Sequence, residues 1–88
     1  KKEPNLKNKL PQIFITGGSQ GAQFFNNLIK NNADFFNKNY QTIIITGPNK
    51  KIKNLENFTN IQQFEFINSQ KLSEYLIKSD LIISRGGA

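Results

Sequence analysis

The sequence predicts an α/β fold, a Rossmann-like parallel sheet with helices on both faces, on three observations. Short apolar runs alternate with stretches of helical spacing, in the order strand, helix, strand, connection, strand, helix, strand. Such alternation argues for parallel strands joined by right-handed crossovers. The run Thr42-Ile43-Ile44-Ile45-Thr46 is apolar on both faces, which suits a central strand covered from each side. Finally, the glycine-rich stretch Thr16-Gly17-Gly18-Ser19-Gln20-Gly21-Ala22 stands between the first strand and the first helix.

Residues 1–9 are polar and charged and include Pro4, so residues 1–10 read as an extended lead-in or linker. Pro11 precedes the first strand, where its missing N–H does least harm. Gln12-Ile13-Phe14-Ile15 is β-branched and aromatic, the composition of a buried strand. Ala22, Phe25, Leu28, Ile29, Ala33 and Phe36 recur at three- and four-residue steps, which predicts one helix over residues 21–36. Asn37-Lys38-Asn39 ends it, and Tyr40 leads into the second strand at 42–46. Residues 50–60 are polar, with at most one short helix. Residues 61–67 form the expected third strand, with Phe64 and Phe66 on one face and Glu65 on the other. Asn68 and Ser69 suit a helix cap. Leu72, Tyr75 and Leu76 make the helical stripe that follows, and residues 81–84 the fourth strand.

Strand, glycine turn and helix in succession aim backbone N–H groups at an anion. The first amides of a helix have no internal acceptor, and its dipole adds partial positive charge there. Glycine lets a phosphate approach without meeting a Cβ. Gly18, Ser19, Gln20 and Gly21 are therefore candidate contacts for a phosphorylated ligand, against the alternative of a purely steric turn. The spacing excludes a Walker A loop, because Gly21 is followed by Ala22 and Gln23. It also departs from the G-x-G-x-x-G dinucleotide fingerprint.

Composition narrows the chemistry further. The 88 residues include no cysteine, which removes disulfides and thiolate metal sites, and no histidine, the commonest general base. No metal site and no cofactor is expected. No apolar run approaches the roughly 20 residues that cross a bilayer. The formal charge of +6 comes from scattered lysines with one short cluster, Lys50-Lys51-Ile52-Lys53. Lys, Asn, Ile and Phe are over-used together, a bias that a low-GC coding sequence produces, so a solvated basic surface outweighs nucleic-acid binding. No Met stands at position 1 and the last residues, Ser84-Arg85-Gly86-Gly87-Ala88, close a strand. The chain reads as an excerpt, with residues 11–88 the truncated N-terminal part of one domain.

In a parallel sheet all strand C-termini share one edge, and ligands bind outside it. Each unusual loop here follows a strand, so the glycine turn, residues 47–49, Asn68 and Arg85 should meet on one rim. Arg85 is the only arginine. It is a candidate contact to phosphate or a carboxylate, with a structural ion pair as the alternative.

The glycine motif after an apolar strand, Phe66-Ile67 before a helix, and Ser84-Arg85-Gly86-Gly87-Ala88 after a later strand resemble the MurG family, over nearly the whole chain. That resemblance implies an inverting N-acetylglucosaminyltransferase of the two-domain GT-B type, with this segment opening the C-terminal, UDP-sugar-binding domain. It implies UDP-N-acetylglucosamine as donor and lipid I as acceptor, giving lipid II for peptidoglycan at the cytoplasmic face of the cell membrane. The acceptor would be held by a separate N-terminal domain, with the full-length protein peripheral to the membrane. By resemblance, Ser19 contacts the donor diphosphate, Ile67 reads uracil through its backbone, and Phe66 lies beside the ring. Ala88 begins a loop that wraps the nucleotide, and the isolated excerpt would be inactive, with no catalytic residue of its own. The run Asn68-Ser69-Gln70 departs from the acidic residues and Met usual in the family, so the packing beside the uracil differs there.

Two other classes fit the sequence less well. A dinucleotide-dependent redox module would want an acidic residue ending the second strand, and Thr46-Gly47-Pro48-Asn49 supplies none. A nucleic-acid-binding domain would want exposed aromatics among the lysines, whereas the phenylalanines fall at buried periodicities. The donor half of a related glycolipid glycosyltransferase, or a non-catalytic nucleotide-binding module, are the remaining alternatives.

Overall fold

In the computed structural model, residues 10–84 are described, with 18–21 described by backbone alone. Four strands, β1 (Gln12–Thr16), β2 (Gln41–Ile45), β3 (Ile61–Phe64) and β4 (Leu81–Ser84), form one sheet in the order β3-β2-β1-β4. All three pairings are parallel, and β1 is central, with Phe14 opposite Ile43 on one side and Ile82 on the other. Three helices complete the described fold: α1 (Gly18–Asn31), α2 (Ala33–Asn39) and α3 (Ser69–Lys78).

Because strand side chains alternate between faces, β1 feeds two layers. Ile13 and Ile15 join Phe25, Ile29 and Ala33 from the α1–α2 side, together with Ile44, Ile52, Leu55 and Ile61. Phe14, fully buried, turns to the opposite face and stacks on Tyr75 of α3, ring centroids 5.9 Å apart. Phe64 packs on the same Tyr75 ring at 5.9 Å. Helices thus cover both faces, as the alternation predicted.

The expected single helix over 21–36 is corrected in two ways. It begins at Gly18, so the glycine motif forms its first turn and does not precede it. It also breaks at Asn32, which has φ −132° and ψ 32°. The Asn32 amide donates to Leu28 O at 2.8 Å while its backbone N–H reaches Ile29 O at 3.2 Å. A side chain that bonds its own backbone competes with the helix ladder, which ends α1 and starts α2. The apolar stripe runs on across the break because Ala33 stays buried.

Other boundaries move less. The second strand lies one residue earlier than expected, and the third stops at Phe64, three residues short of Ile67. Pairing nevertheless continues past the strand ends, with Thr46 N–H to Phe64 O at 2.8 Å and Gly47 N–H to Glu65 O at 3.0 Å. Residues 50–60 hold no helix. They are held instead by a side chain that imitates a strand: Gln63 accepts from Ile52 N–H at 2.7 Å and donates to Ile52 O at 2.9 Å. That clamp lays Ile52 and Leu55 into the core. Asn37 and Asn60 make a second clamp, with Asn60 N–H to Asn37 Oδ1 and Asn60 Nδ2 to Asn37 O, both 2.8 Å. The Asn68 cap is as expected, its side chain accepting from Lys71 N–H at 2.8 Å.

Candidate functional site

The strand order carries the functional information. From β1 the chain moves outward to β2 and β3, then crosses the opposite face through α3 to reach β4 on the other side of β1. The direction of winding therefore reverses between β1 and β4. A crevice opens at such a switch point beyond the strand C-termini, and ligands of open α/β sheets bind there. Its walls here are the ends of two paired strands, Thr16 and Ser84.

The first turn of α1 stands at that crevice. Gly17 occupies the cap position with φ −100° and ψ 0°, makes no side-chain cap bond, and no acidic residue lies in the first turn. An end with neither a side-chain cap nor a carboxylate keeps its amides and positive dipole available to an outside anion. The backbone of Gly18, Ser19, Gln20 and Gly21 is this first turn, so the structure brings these candidates together. Ile67 and Phe66 leave the sheet just after the Gly47–Glu65 bond, on the same strand-end edge. Ile67 is half-buried, whereas Phe66 is 73% exposed and presents its ring openly. The expectation that Phe64 and Phe66 share a strand face is corrected, because the strand ends between them. The expectation that the phenylalanines are buried holds for Phe14 and Phe25 and is corrected for Phe24, Phe35 and Phe66, which are exposed. Arg85 and Ala88 lie outside the described residues.

The loop at 47–49, expected on this rim, is held there by a residue that sequence reading missed, Asn26. After β2, the loop 46–50 turns back through Gly47, whose φ is +94°, and Asn49, whose φ is 61°. Lys50 N–H closes the turn on Gly47 O at 3.2 Å. Asn26, 4% exposed on α1, donates its amide to Thr46 O at 3.2 Å and Lys50 O at 3.3 Å. Asn26 stands four residues after Ala22 and three before Ile29. A polar residue inside an apolar stripe was the available signal.

A second concavity, an open cleft of about 490 Å³, lies among residues including Lys30, Asn32, Phe35, Lys53 and Phe58. These belong to the end of α1, the start of α2 and the connection before β3, at the strand N-terminal side and away from the switch point. Among the described residues no group of three or more His, Asp or Glu side chains could hold a metal.

A parallel sheet with helices on both faces and a glycine-opened helix at its switch point defines a Rossmann-like α/β domain. The particular family follows from comparison: the chain belongs to the glycosyltransferase family 28 C-terminal domain family, whose model matches residues 12–88. A UDP-N-acetylglucosamine--N-acetylmuramyl-(pentapeptide) pyrophosphoryl-undecaprenol N-acetylglucosamine transferase of Clostridium botulinum strain Hall is 37% identical over 83 residues, covering 94% of this chain and 23% of the relative. Proteins of the same name from Clostridium tetani and Shouchella clausii are 35% and 33% identical, covering 100% and 89% of the chain and 24% and 22% of the relatives. The chain thus spans about a quarter of the length of the curated relatives it matches. No solved structure matches it. The resemblance to the MurG family, read first from the glycine motif, stands.

Proposed function

We propose that this chain belongs to a hexosyltransferase that moves N-acetylglucosamine from UDP-N-acetylglucosamine to lipid I, forming lipid II, and that residues 11–88 contribute to its donor site. The supporting observation is the uncapped first turn of α1, built from Gly18-Ser19-Gln20-Gly21 and placed at the switch point of the sheet. The names of the relatives supply the donor sugar and the undecaprenyl-linked acceptor.

The chemistry assigned to this chain is binding and charge stabilisation. Sugar transfer leaves negative charge on the departing diphosphate, and fixed amides at a helix N-terminus stabilise charge that develops there. Ser19 adds a hydroxyl donor to this cradle. The backbone of Ile67 holds the uracil edge, and the exposed Phe66 ring lies against its face. Arg85 contacts the diphosphate, and Ala88 opens the loop that closes over the nucleotide. The general base, the ribose contacts and the acceptor site lie elsewhere in the full-length protein. No described helix is long and apolar enough to cross a membrane, and the reading places the full-length protein peripherally at the cytoplasmic face, where its lipid-linked acceptor is presented.

Ser19→Ala in the full-length protein tests the assignment. A hydrogen bond to a charged group contributes about 1.5–3 kcal/mol, so UDP should bind roughly ten- to hundredfold more weakly by calorimetry. Uridine, which has no phosphate, should bind the variant and wild type equally. If uridine weakens as much as UDP, Ser19 supports the loop and does not touch the diphosphate.

A further inference from the structure

We propose that Asn26 is a positioning residue of the donor site: its buried amide locks the 46–50 loop onto α1, so that this loop and the glycine turn form one rigid lip. The inference rests on the donor reading above but is carried by a separate set of contacts. The Asn26 Nδ2 group donates to the carbonyls on either side of the turn, Thr46 O and Lys50 O. Between them the backbone holds two left-handed conformations, at Gly47 and Asn49. Such a segment has many alternatives in isolation, and fixing both its ends selects one of them.

Two further observations place this lock at the rim. A Cβ built on Gly47 would lie 3.8 Å from the Cβ of Ala22, the residue that ends the glycine motif. The loop therefore lies directly against the start of α1. The same residue, Gly47, is tied to β3 by its N–H to Glu65 O at 3.0 Å, and Thr46 Oγ1 donates to Gly47 O at 3.1 Å. Glu65 is two residues before Ile67. One amide thus couples the diphosphate end of the rim to its uracil end.

Packing alone does not account for the residue. Asn26 Oδ1 is buried with no hydrogen-bond partner, a cost that an apolar side chain of similar size would not carry. What the amide supplies is its two donated bonds to the loop.

The test compares Asn26→Leu, which removes the donor, with Asn26→Asp, which keeps the shape but sets a carboxylate against two carbonyls. Both are made in the full-length protein. Amide hydrogen exchange at Gly47 and Lys50 should accelerate by roughly tenfold or more, the loss of a local closing equilibrium, while Ile15 and Ile44 in the central strands keep their wild-type rates. UDP affinity should fall roughly five- to hundredfold, the range that the loss of two neutral hydrogen bonds allows. The donor KM should rise with kcat at saturating donor unchanged, since the loop is then bound in place. Unchanged exchange at Gly47 and Lys50, or acceleration spread evenly over the sheet, overturns the lock. Faster loop exchange with unaltered UDP affinity overturns its role in the donor site. Should wild type itself fail to bind UDP, the donor reading fails with it, and the exchange rates still decide whether the lock exists. If one variant does not fold, the other carries the comparison.

Discussion

Gly47→Ala separates backbone strain from crowding at the rim. Gly47 holds φ at +94°, a region where an L-residue sets its Cβ against the neighbouring carbonyl at a cost of roughly 1–2 kcal/mol. Space is not the constraint, because a Cβ there meets Lys50 Cδ at 3.6 Å and Ala22 Cβ at 3.8 Å, ordinary contact distances. Alanine should therefore fold and destabilise by about 1–2 kcal/mol through its backbone alone. Asparagine, which tolerates left-handed backbone, should lose less, and valine should lose more because of its second branch. Urea titration of the full-length protein, following the transition of the domain that holds residues 12–88, reads the order directly. With a slope of about 1–3 kcal/mol per molar urea, the alanine midpoint should move down by around 1 M. Alanine as stable as glycine would refute the argument, since the positive φ would then impose nothing. Asparagine as damaging as alanine would refute it too, because crowding and not backbone conformation would then set the cost.

Two further outcomes follow from other contacts. Gln63→Leu removes both bonds to Ile52 and should destabilise by about 1–3 kcal/mol; hydrogen exchange should show the loss first at the Ile52 amide, ahead of the strand amides of β2. Asn68→Ala removes the α3 cap bond to Lys71 N–H and should cost about 1 kcal/mol, whereas Asn68→Asp keeps an acceptor there and should cost much less. Thermal unfolding of the three proteins checks the order.

The elements that could be read from sequence are those whose signal is local. The apolar strands, the Asn68 cap and the helix at 69–78 each carry their pattern within a few residues. The break at Asn32 was hidden because its apolar stripe continues from Ile29 to Ala33 while a single side-chain bond to Leu28 O ends the helix. The asparagines looked like compositional bias, yet Asn26, Asn37 and Asn60 each bind backbone far away in sequence. No window of sequence contains such a pair. The rim was legible as a set of strand ends, but the switch point between β1 and β4 was not, because strand order is a property of the closed sheet.

That strand order also sets a sequence of events during synthesis. β1 pairs with β2 about thirty residues later, but its other edge waits for β4, whose Leu81 lies opposite Ile13. A chain emerging from its N-terminus can assemble β1, β2 and β3 while the second edge of β1 is still bare. Closure then depends on a latch at the near end of β4. Gln12 donates its backbone N–H to Asp80 at 2.9 Å and its side chain to Ser79 at 3.0 Å, and Asp80 N–H returns a bond to Gln12 O at 2.8 Å. Of the described strand pairings, β1 with β4 spans the most sequence and so carries the largest loop-closure cost.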